Sequence, residues 1–277
     1  MAHNIVPLIP KHTVYVEPFA GGLAILFAKP IPQVTNSHYY REVINDMDEH
    51  LINFYRQLRD NGEELIRLLE LTPYSEFEHK LSKQLDIDND LERARRYFVN
   101  ISQSFANKLN AGWGRAKYGR NFAITWQSRV KNLPDVLDRM AGVHIACADA
   151  LKIIKDWDSP QTFFYCDPPY PDTDQGHYKG YTLDDYRALI NTLDGCDGSF
   201  IVSNYNQDVA IPDDWESFAF GATTSASLKM ESRGKRVEMV HRRLNRVPVR
   251  HEIQKVYDSP PFRVFNDIQI DKRIALL

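Results

Sequence analysis

The sequence predicts an open α/β sheet interrupted by a mainly helical, basic insertion. Three observations carry that expectation. Short β-prone runs alternate with helical periodicities at both ends of the chain, the stretch 63–109 between them is mostly helical by pattern, and turn chemistry follows the strand candidates. With 277 residues, 43% hydrophobic and 26% charged, the chain can bury a core without disulfides or metals.

Val14-Tyr15-Val16 is a β-prone run that stops at Glu17-Pro18, ahead of Gly21-Gly22. Leu23 to Ala28 is apolar and helix-compatible until Pro30 and Pro32 end it, giving strand, glycine turn, helix. A second strand is expected over Tyr39 to Ile44, ending at Asn45-Asp46. Leu51, Phe54, Tyr55, Leu58, Leu65, Leu68 and Leu69 then recur at near-helical spacing, with a break at Gly62. Phe77, Leu81 and Leu85, then Leu91, Ala94, Phe98 and Ile101, continue the helical pattern. From Asn107 to Trp126 it breaks into a basic, aromatic and glycine-bearing stretch, read as a loop or short hairpin, and Asp135 to Met140 is again helical. Strand signals return at Val143 to Ala146 and Thr162 to Tyr165. A helix follows from Leu183 to Leu193, N-capped by Thr182 with Asp185 three residues on. Phe200 to Val202, Ser217 to Phe220 and Arg236 to Val240 are the closing strands.

Composition narrows the function classes. The longest apolar run, Phe19 to Ala28, is far short of the roughly 20 residues that span a bilayer, and the first residues lack a signal-peptide pattern, so a cytoplasmic protein is expected. Cys147, Cys166 and Cys196 show no CxxC spacing, which argues against a disulfide framework or cysteine zinc site, and His12, His79 and His144 are scattered; no metal is expected. The net charge of −3 hides its distribution. Between Leu91 and Lys131, nine basic residues (Arg93, Arg95, Arg96, Lys108, Arg115, Lys117, Arg120, Arg129 and Lys131) face one acid, Glu92. From Lys229 to Arg250, eight basic residues face two acids. Charge alone fits either a polyanion held on one side of an acidic body or two solvated faces.

In open α/β sheets ligands bind beyond the carboxyl ends of strands. Glu17-Pro18-Phe19-Ala20-Gly21-Gly22 stands at one such end. Glycines there let the backbone approach a cofactor, and a carboxylate can take hydroxyl or ammonium hydrogen bonds. Asp46 ends the second strand, where nucleoside-binding folds place a carboxylate on a ribose; capping the next helix is a compatible structural role. Asp167-Pro168-Pro169-Tyr170 ends an apolar strand. The prolines fix a rigid bend and leave carbonyls without adjacent N–H groups, Asp167 adds an acceptor, and Tyr170 a flat face. Two acceptors and an aromatic plate suit an exocyclic amino group on a planar base. Trp126 and Trp157 fit packing roles, and Cys166 a small buried side chain.

These blocks resemble the Dam-type, or D12 class, DNA adenine-N6 methyltransferases. Tyr15 to Gly22 resembles the motif that binds S-adenosylmethionine. Ile44-Asn45-Asp46 with Leu51 to Tyr55 resembles the second-strand motif with its ribose-binding acid. Asp149, after Ile145 to Ala148, falls where the family has an acid near the cofactor adenine. Asp167 to Tyr170 resembles the catalytic motif, and Phe200 to Tyr205 and Arg236 to Val240 the closing strands. The resemblance implies a Rossmann-like methyltransferase sheet with an inserted, mainly helical DNA-recognition domain. Residues 1–55 and 133–277 would form the catalytic domain and 56–132 the insertion.

It also implies transfer of a methyl group from S-adenosylmethionine to N6 of an adenine extruded from double-stranded DNA, without a metal, by a monomer or weak dimer. The implied cofactor contacts are Glu17, Pro18, Phe19, Ala20, Gly21, Gly22, Asp46, Asp149 and Asp167; Asp167, Pro168, Pro169 and Tyr170 are the catalytic set. Phe98, Asn100, Gln103, Asn107, Lys108, Asn110, Trp113, Arg115, Lys117, Tyr118 and Arg120 mix phosphate anchors with base-reading groups. The cluster from Lys229 would hold the DNA backbone from the other side or form a solvated hairpin and tail. Three positions depart from the family pattern. A Gly-Gly-Lys just upstream of a segment like Ala2 to Pro7 is not in this sequence, which fits a truncated chain, a misassigned start or weakened cofactor binding. Leu23 replaces the third glycine of the F-x-G-x-G form, and Tyr186 stands where many relatives have histidine. Alternatives are a methyltransferase acting on cytosine N4, an RNA base or a protein glutamine, and a catalytically impaired DNA-binding relative. Cytosine enzymes favour serine and glutamine enzymes asparagine at the position of Asp167, so the aspartate favours adenine.

Overall fold

The structure, a computed structural model, describes residues 1–30, 40–119, 121–169, 180–204, 209–222 and 236–244, with backbone alone at 221, 222, 236 and 237. Its strands are β1 (Val14–Glu17), β2 (Arg41–Asn45), β3 (Val143–Ala146), β4 (Thr162–Cys166), β5 (Ser199–Asn204), β6 (Glu216–Ala222) and β7 (Arg236–Arg243). They form one sheet in the order β3-β2-β1-β4-β5-β7-β6. Neighbours from β3 to β5 are parallel, and β7 runs antiparallel between β5 and β6. The order reverses between β1 and β4, the switch point where such sheets open a crevice beyond their carboxyl ends.

Central strands read as continuous apolar runs because both faces are covered. β4 and β5 are buried at every position. On one face Phe164, Cys166, Phe200 and Val202 pack against α9 (Ala150–Trp157) and α10 (Leu183–Asp194). On the other, Tyr15, Ile44, Phe163, Tyr165 and Ile201 share a core with α1 (Ala2–Ile5), α2 (Ala24–Ala28), α3 (Glu49–Asp60), α4 (Gly62–Glu70), α6 (Asp90–Gln103), α7 (Phe122–Lys131) and α8 (Leu133–Met140), with α5 (Glu76–Leu81) laid on α6. The helical insertion is thus continuous with the core of the sheet. The domain boundary expected at residue 55 falls within α3, which runs unbroken to Asp60. The break comes at Asn61-Gly62, where a Cβ on Gly62 would sit 2.7 Å from a Leu137 methyl. A side chain there would have to push the Leu137 methyls aside.

Local chemistry explains the element ends. Thr182 and Asp185 form the reciprocal capping box at α10. Asp48, not Asp46, caps α3 by accepting from His50 and Leu51 N–H. Asn121 starts α7, so the expected loop from Asn107 ends at Phe122, and Trp126 lies buried with its indole N–H on Thr72 O (3.0 Å). Helix α9 was not foreseen; Asp149 caps it through Lys152 N (3.0 Å). His12 and His79 are buried and hydrogen-bonded to Pro10 O and Ser104 Oγ. Among the described residues no helix is long and apolar enough to cross a membrane, and no His, Cys, Asp and Glu side chains group to hold a metal ion.

Candidate active site

The crevice at the carboxyl ends of β1 to β4 holds a cavity of about 730 Å3, within the ordinary range for small-molecule sites. Pro18, Phe19, Asp46, Asp149 and Pro169 line it, so the three strand-end motifs singled out in the sequence meet there. The turn after β1 is held from behind. Gly21 N donates to Asp46 Oδ2 (3.1 Å), Tyr55 Oη donates to Gly21 O (2.6 Å), and Ala20 N donates to Asn45 O (2.8 Å). Gly21 is left-handed at φ +44°, and a Cβ there would meet nothing within 4 Å, which marks open space beside the backbone. Gly22 follows in the turn, half-buried.

Leu23 is left-handed too, at φ +54°, where a glycine would be unstrained. Its side chain is 1% exposed, in the core with Ile25 and Leu26. Burial of that leucine, worth about 1.5–3 kcal/mol, outweighs a backbone cost of roughly 1–2 kcal/mol.

Glu17 does not line the cavity. In a strand, residues two apart share a face, and Glu17 follows Tyr15 into the core side, 1% exposed, where Tyr15 Oη donates to it (2.6 Å). Burial pushes its carboxyl up to about 8, with Asp167 adding to the rise, so it is protonated at neutral pH. Glu238 on β7 is pushed up to about 7 by burial and again by Asp167. Asp167 itself is exposed at the end of β4, with Pro168 buried behind it and Pro169 on the cavity wall. Ser203 Oγ donates to Asp167 Oδ1 (2.7 Å). Tyr170 lies outside the described residues.

Several residues here escaped the sequence reading. Asn45, fully buried, stitches the two halves of the crevice: its side chain donates to Pro18 O and Ala148 O and accepts from Ala148 N, each at 2.9 Å. Its place between Ile44 and Asp46 was the available signal. Met47, 68% exposed, and Leu151 add apolar wall. Tyr181 adds an aromatic edge, T-shaped to Phe19 at 6.3 Å between ring centres. Tyr186, in the histidine position, is buried and its hydroxyl accepts from Asn204 Nδ2 (2.6 Å).

These motifs in this order match the description of the D12 class N6 adenine-specific DNA methyltransferases over residues 1–221. The chain belongs to that family. The methyltransferase is 27% identical over 262 residues to the type II methyltransferase M1.LlaDCHI of Lactococcus lactis subsp. cremoris, an alignment covering 83% of this chain and 86% of the relative. It is 25% identical over 207 residues to the DNA N-6-adenine-methyltransferase of Escherichia phage P1, covering 67% of this chain and 25% of that protein. Among solved structures, the rRNA methyltransferase aviRa of Streptomyces viridochromogenes is similar over 94% of this chain and 85% of its own, at 12% identity and a TM-score of 0.35.

The methyltransferase presents fewer basic groups than its sequence suggests. Arg93 pairs with Asp90, while Arg95 and Arg96 pair with Glu92, and Arg95 also with Glu78. Arg129 is buried on Ser102 O. Phe98, Asn100 and Gln103, expected to read DNA, are fully buried, in a stretch of α6 that is buried on every side from Tyr97 to Gln103. Asn100 instead braces Asn110, accepting its N–H (2.8 Å) and donating to its Oδ1 (3.0 Å). Trp113 is half-buried against Tyr74 and bridges to Ser104. Asn107, Lys108, Asn110, Arg115, Lys117 and Tyr118 remain exposed, on a loop whose Leu109 reaches the cavity wall. Arg120 lies outside the described residues, as do Lys229, Arg233, Lys235, Arg246 and Arg250. Of the rest of that second cluster, Arg242 pairs with Glu216, and Arg243, 4% exposed, donates to the carbonyls of Leu193, Asp194 and Cys196 that end α10.

Proposed function

We propose that the cavity binds S-adenosylmethionine and that Asp167, Pro168, Pro169 and Tyr170 hold an extruded adenine of double-stranded DNA beside it. The observation that carries this reading is the exposed Asp167 carboxylate at the end of β4, next to the Pro169 wall of the cavity. The donor set suits the cofactor. Asp46 would take ribose hydroxyls and Asp149 an adenine amino group, while Phe19, Met47 and Leu151 offer apolar faces for a purine. Pro18, Ala20, Gly21 and Gly22 would shape the floor, and Glu17 would support it from beneath as a neutral acid. When bound, the cofactor supplies a methyl group on a positively charged sulfur.

Asp167 and the Pro168 carbonyl would accept the two amino hydrogens of adenine, and Tyr170 would stack on its ring. Extrusion is required because the amino group cannot align with the methyl carbon inside the duplex. The two acceptors turn nitrogen lone-pair density toward that carbon, and alignment supplies most of the acceleration. The raised Glu17 and Glu238 carboxyls matter here, because each binds a proton more readily than an ordinary carboxylate. A second buried anion beside Asp167 would raise its affinity for a proton and remove an acceptor. Two measurements test this reading. DNA from a host without adenine methylation, expressing the chain, should contain N6-methyladenine by single-molecule sequencing. In calorimetry, Asp46→Ala should weaken S-adenosylmethionine binding about tenfold or more, the loss expected for one ribose-binding carboxylate. Unmethylated DNA, or unchanged affinity in the variant, would count against it.

The exposed loop is assigned to DNA. Three of its non-glycine residues, Ala106, Asn107 and Asn110, are left-handed, a conformation that costs free energy and is held here by the Asn100 brace and by Phe105 N–H on Gly112 O (2.7 Å). Lys108, Arg115 and Lys117 would meet phosphates, with Asn107 and Tyr118 nearer the bases, and Arg120 would extend the same basic run. Binding of a duplex of about 20 bp should weaken at least tenfold between about 50 and 200 mM salt, and Lys117→Ala should lower the logarithmic salt slope by about 1. A flat salt response would move the DNA elsewhere.

A further inference from the structure

We propose that Ser203 is a positioning residue for methyl transfer, holding the Asp167 carboxylate in the orientation that receives the target amino group. The inference rests on the catalytic reading of Asp167 above. Its origin is the register of two neighbouring strands. Cys166 on β4 stands beside Val202 on β5, so the next residues, Asp167 just past the end of β4 and Ser203 still within β5, lie side by side. Ser203 is fully buried, and its hydroxyl donates to Asp167 Oδ1 at 2.7 Å.

Two features give this bond consequences for chemistry. Its donor sits on a strand buried at every position, and its acceptor is an exposed carboxylate. A carboxylate accepts hydrogen bonds at about four lone-pair sites, so one donor fixes its plane and leaves room for an incoming N–H. Without that donor the carboxylate loses a contact that sets its plane, and misplacement of an acceptor by about 1 Å is enough to cost roughly 10²-fold in rate.

The test follows tritiated methyl transfer from S-adenosylmethionine into plasmid DNA from a host lacking adenine methylation. Ser203→Ala should lower kcat about 10- to 100-fold, with KM for S-adenosylmethionine and for DNA within about twofold of wild type. Ser203→Thr, which keeps the hydroxyl, should recover most of the loss. Equal kcat in Ser203→Ala and wild type, or a loss carried in KM, would overturn the positioning role while leaving Asp167 in place. Full turnover by Asp167→Ala would instead overturn the catalytic reading beneath it. Should the alanine and threonine variants fail to fold, Ser203→Cys, whose thiol is only a weak donor, is read in the same assay. A kcat reduced severalfold at constant KM supports the positioning role, and an unchanged kcat removes it.

Discussion

Asp167→Ala should abolish methylation, lowering kcat by about 10³-fold or more, while S-adenosylmethionine binding stays within a few-fold of wild type. The magnitude follows from what is lost. A preorganised polar group facing charge that develops in the transition state is commonly worth about 10²–10³ in kcat, and this one also orients the nucleophile. Binding survives because the cavity is walled by Pro18, Phe19, Asp46, Asp149 and Leu151 rather than by Asp167 itself. Asp167→Asn should be less damaging, since the amide keeps one acceptor oxygen. That oxygen must compete for the Ser203 proton, so a loss of about 10²-fold is expected. The variants also report on neighbours. With Asp167 gone, the carboxyls of Glu17 and Glu238 lose a negative charge that now helps to keep them protonated. Tritium transfer at saturating cofactor and calorimetry on the same preparation separate the two effects; turnover near wild type in the alanine variant would remove Asp167 from the chemistry.

Much of this geometry was legible because strand ends carry a sharp chemical signature. An apolar run that closes on Glu17-Pro18, Asn45-Asp46 or Asp167-Pro168 marks where a parallel strand stops and hence where the crevice opens, though not which side chain of each pair faces it. The Thr182 and Asp185 pair marked α10 in the same way. What failed was counting along the chain quantities that are decided in space. Nine basic residues around Arg93 to Lys131 looked like a polyanion surface, yet Arg93, Arg95 and Arg96 lie one helical turn from Asp90 and Glu92 and are paired to them. The α6 periodicity through Ala94, Phe98 and Ile101 puts Phe98 in the core, but Asn100 and Gln103 lie on the opposite side and are buried only because α6 is enclosed all round from Tyr97 to Gln103. Glu17 shared a face with Tyr15 by the two-residue repeat of a strand, a signal present but not used. Ser203 could not have been linked to Asp167 from the sequence, because the link depends on β4 and β5 being neighbours in one register.

Glu42→Gln should lower stability by about 3–5 kcal/mol, or on the order of 10 °C in Tm. Glu42 on β2 is 5% exposed and stands between two buried cations. Lys29 Nζ lies 2.6 Å from Oε1, and the Arg139 guanidinium reaches both oxygens, at 2.5 and 2.8 Å. Arg139 also donates to Leu26 O (3.0 Å), and Lys29 sits over the Tyr15 ring, 4.6 Å from its centre. The network therefore ties β2 to α2 and α8 at the core face of the sheet. Burial alone would raise the Glu42 carboxyl, but Lys29 and Arg139 more than reverse this and hold it at about 2. A folded-state value below the unfolded one gives stability that is complete above about pH 5 and is lost as pH falls through 4 toward 2. The glutamine variant lacks the charge, so its stability should be flatter across that window while lower at neutral pH. The loss arises less from the missing attraction than from two cations left in a dry site, and burial already pulls Lys29 toward its neutral form. That distinction makes the double variant decisive. Lys29→Met in the Glu42→Gln background removes one stranded cation, and it should recover more than half of the loss in urea or thermal unfolding. If the two substitutions simply add, the network is not coupled and the ion pairs do not explain the stability of this corner.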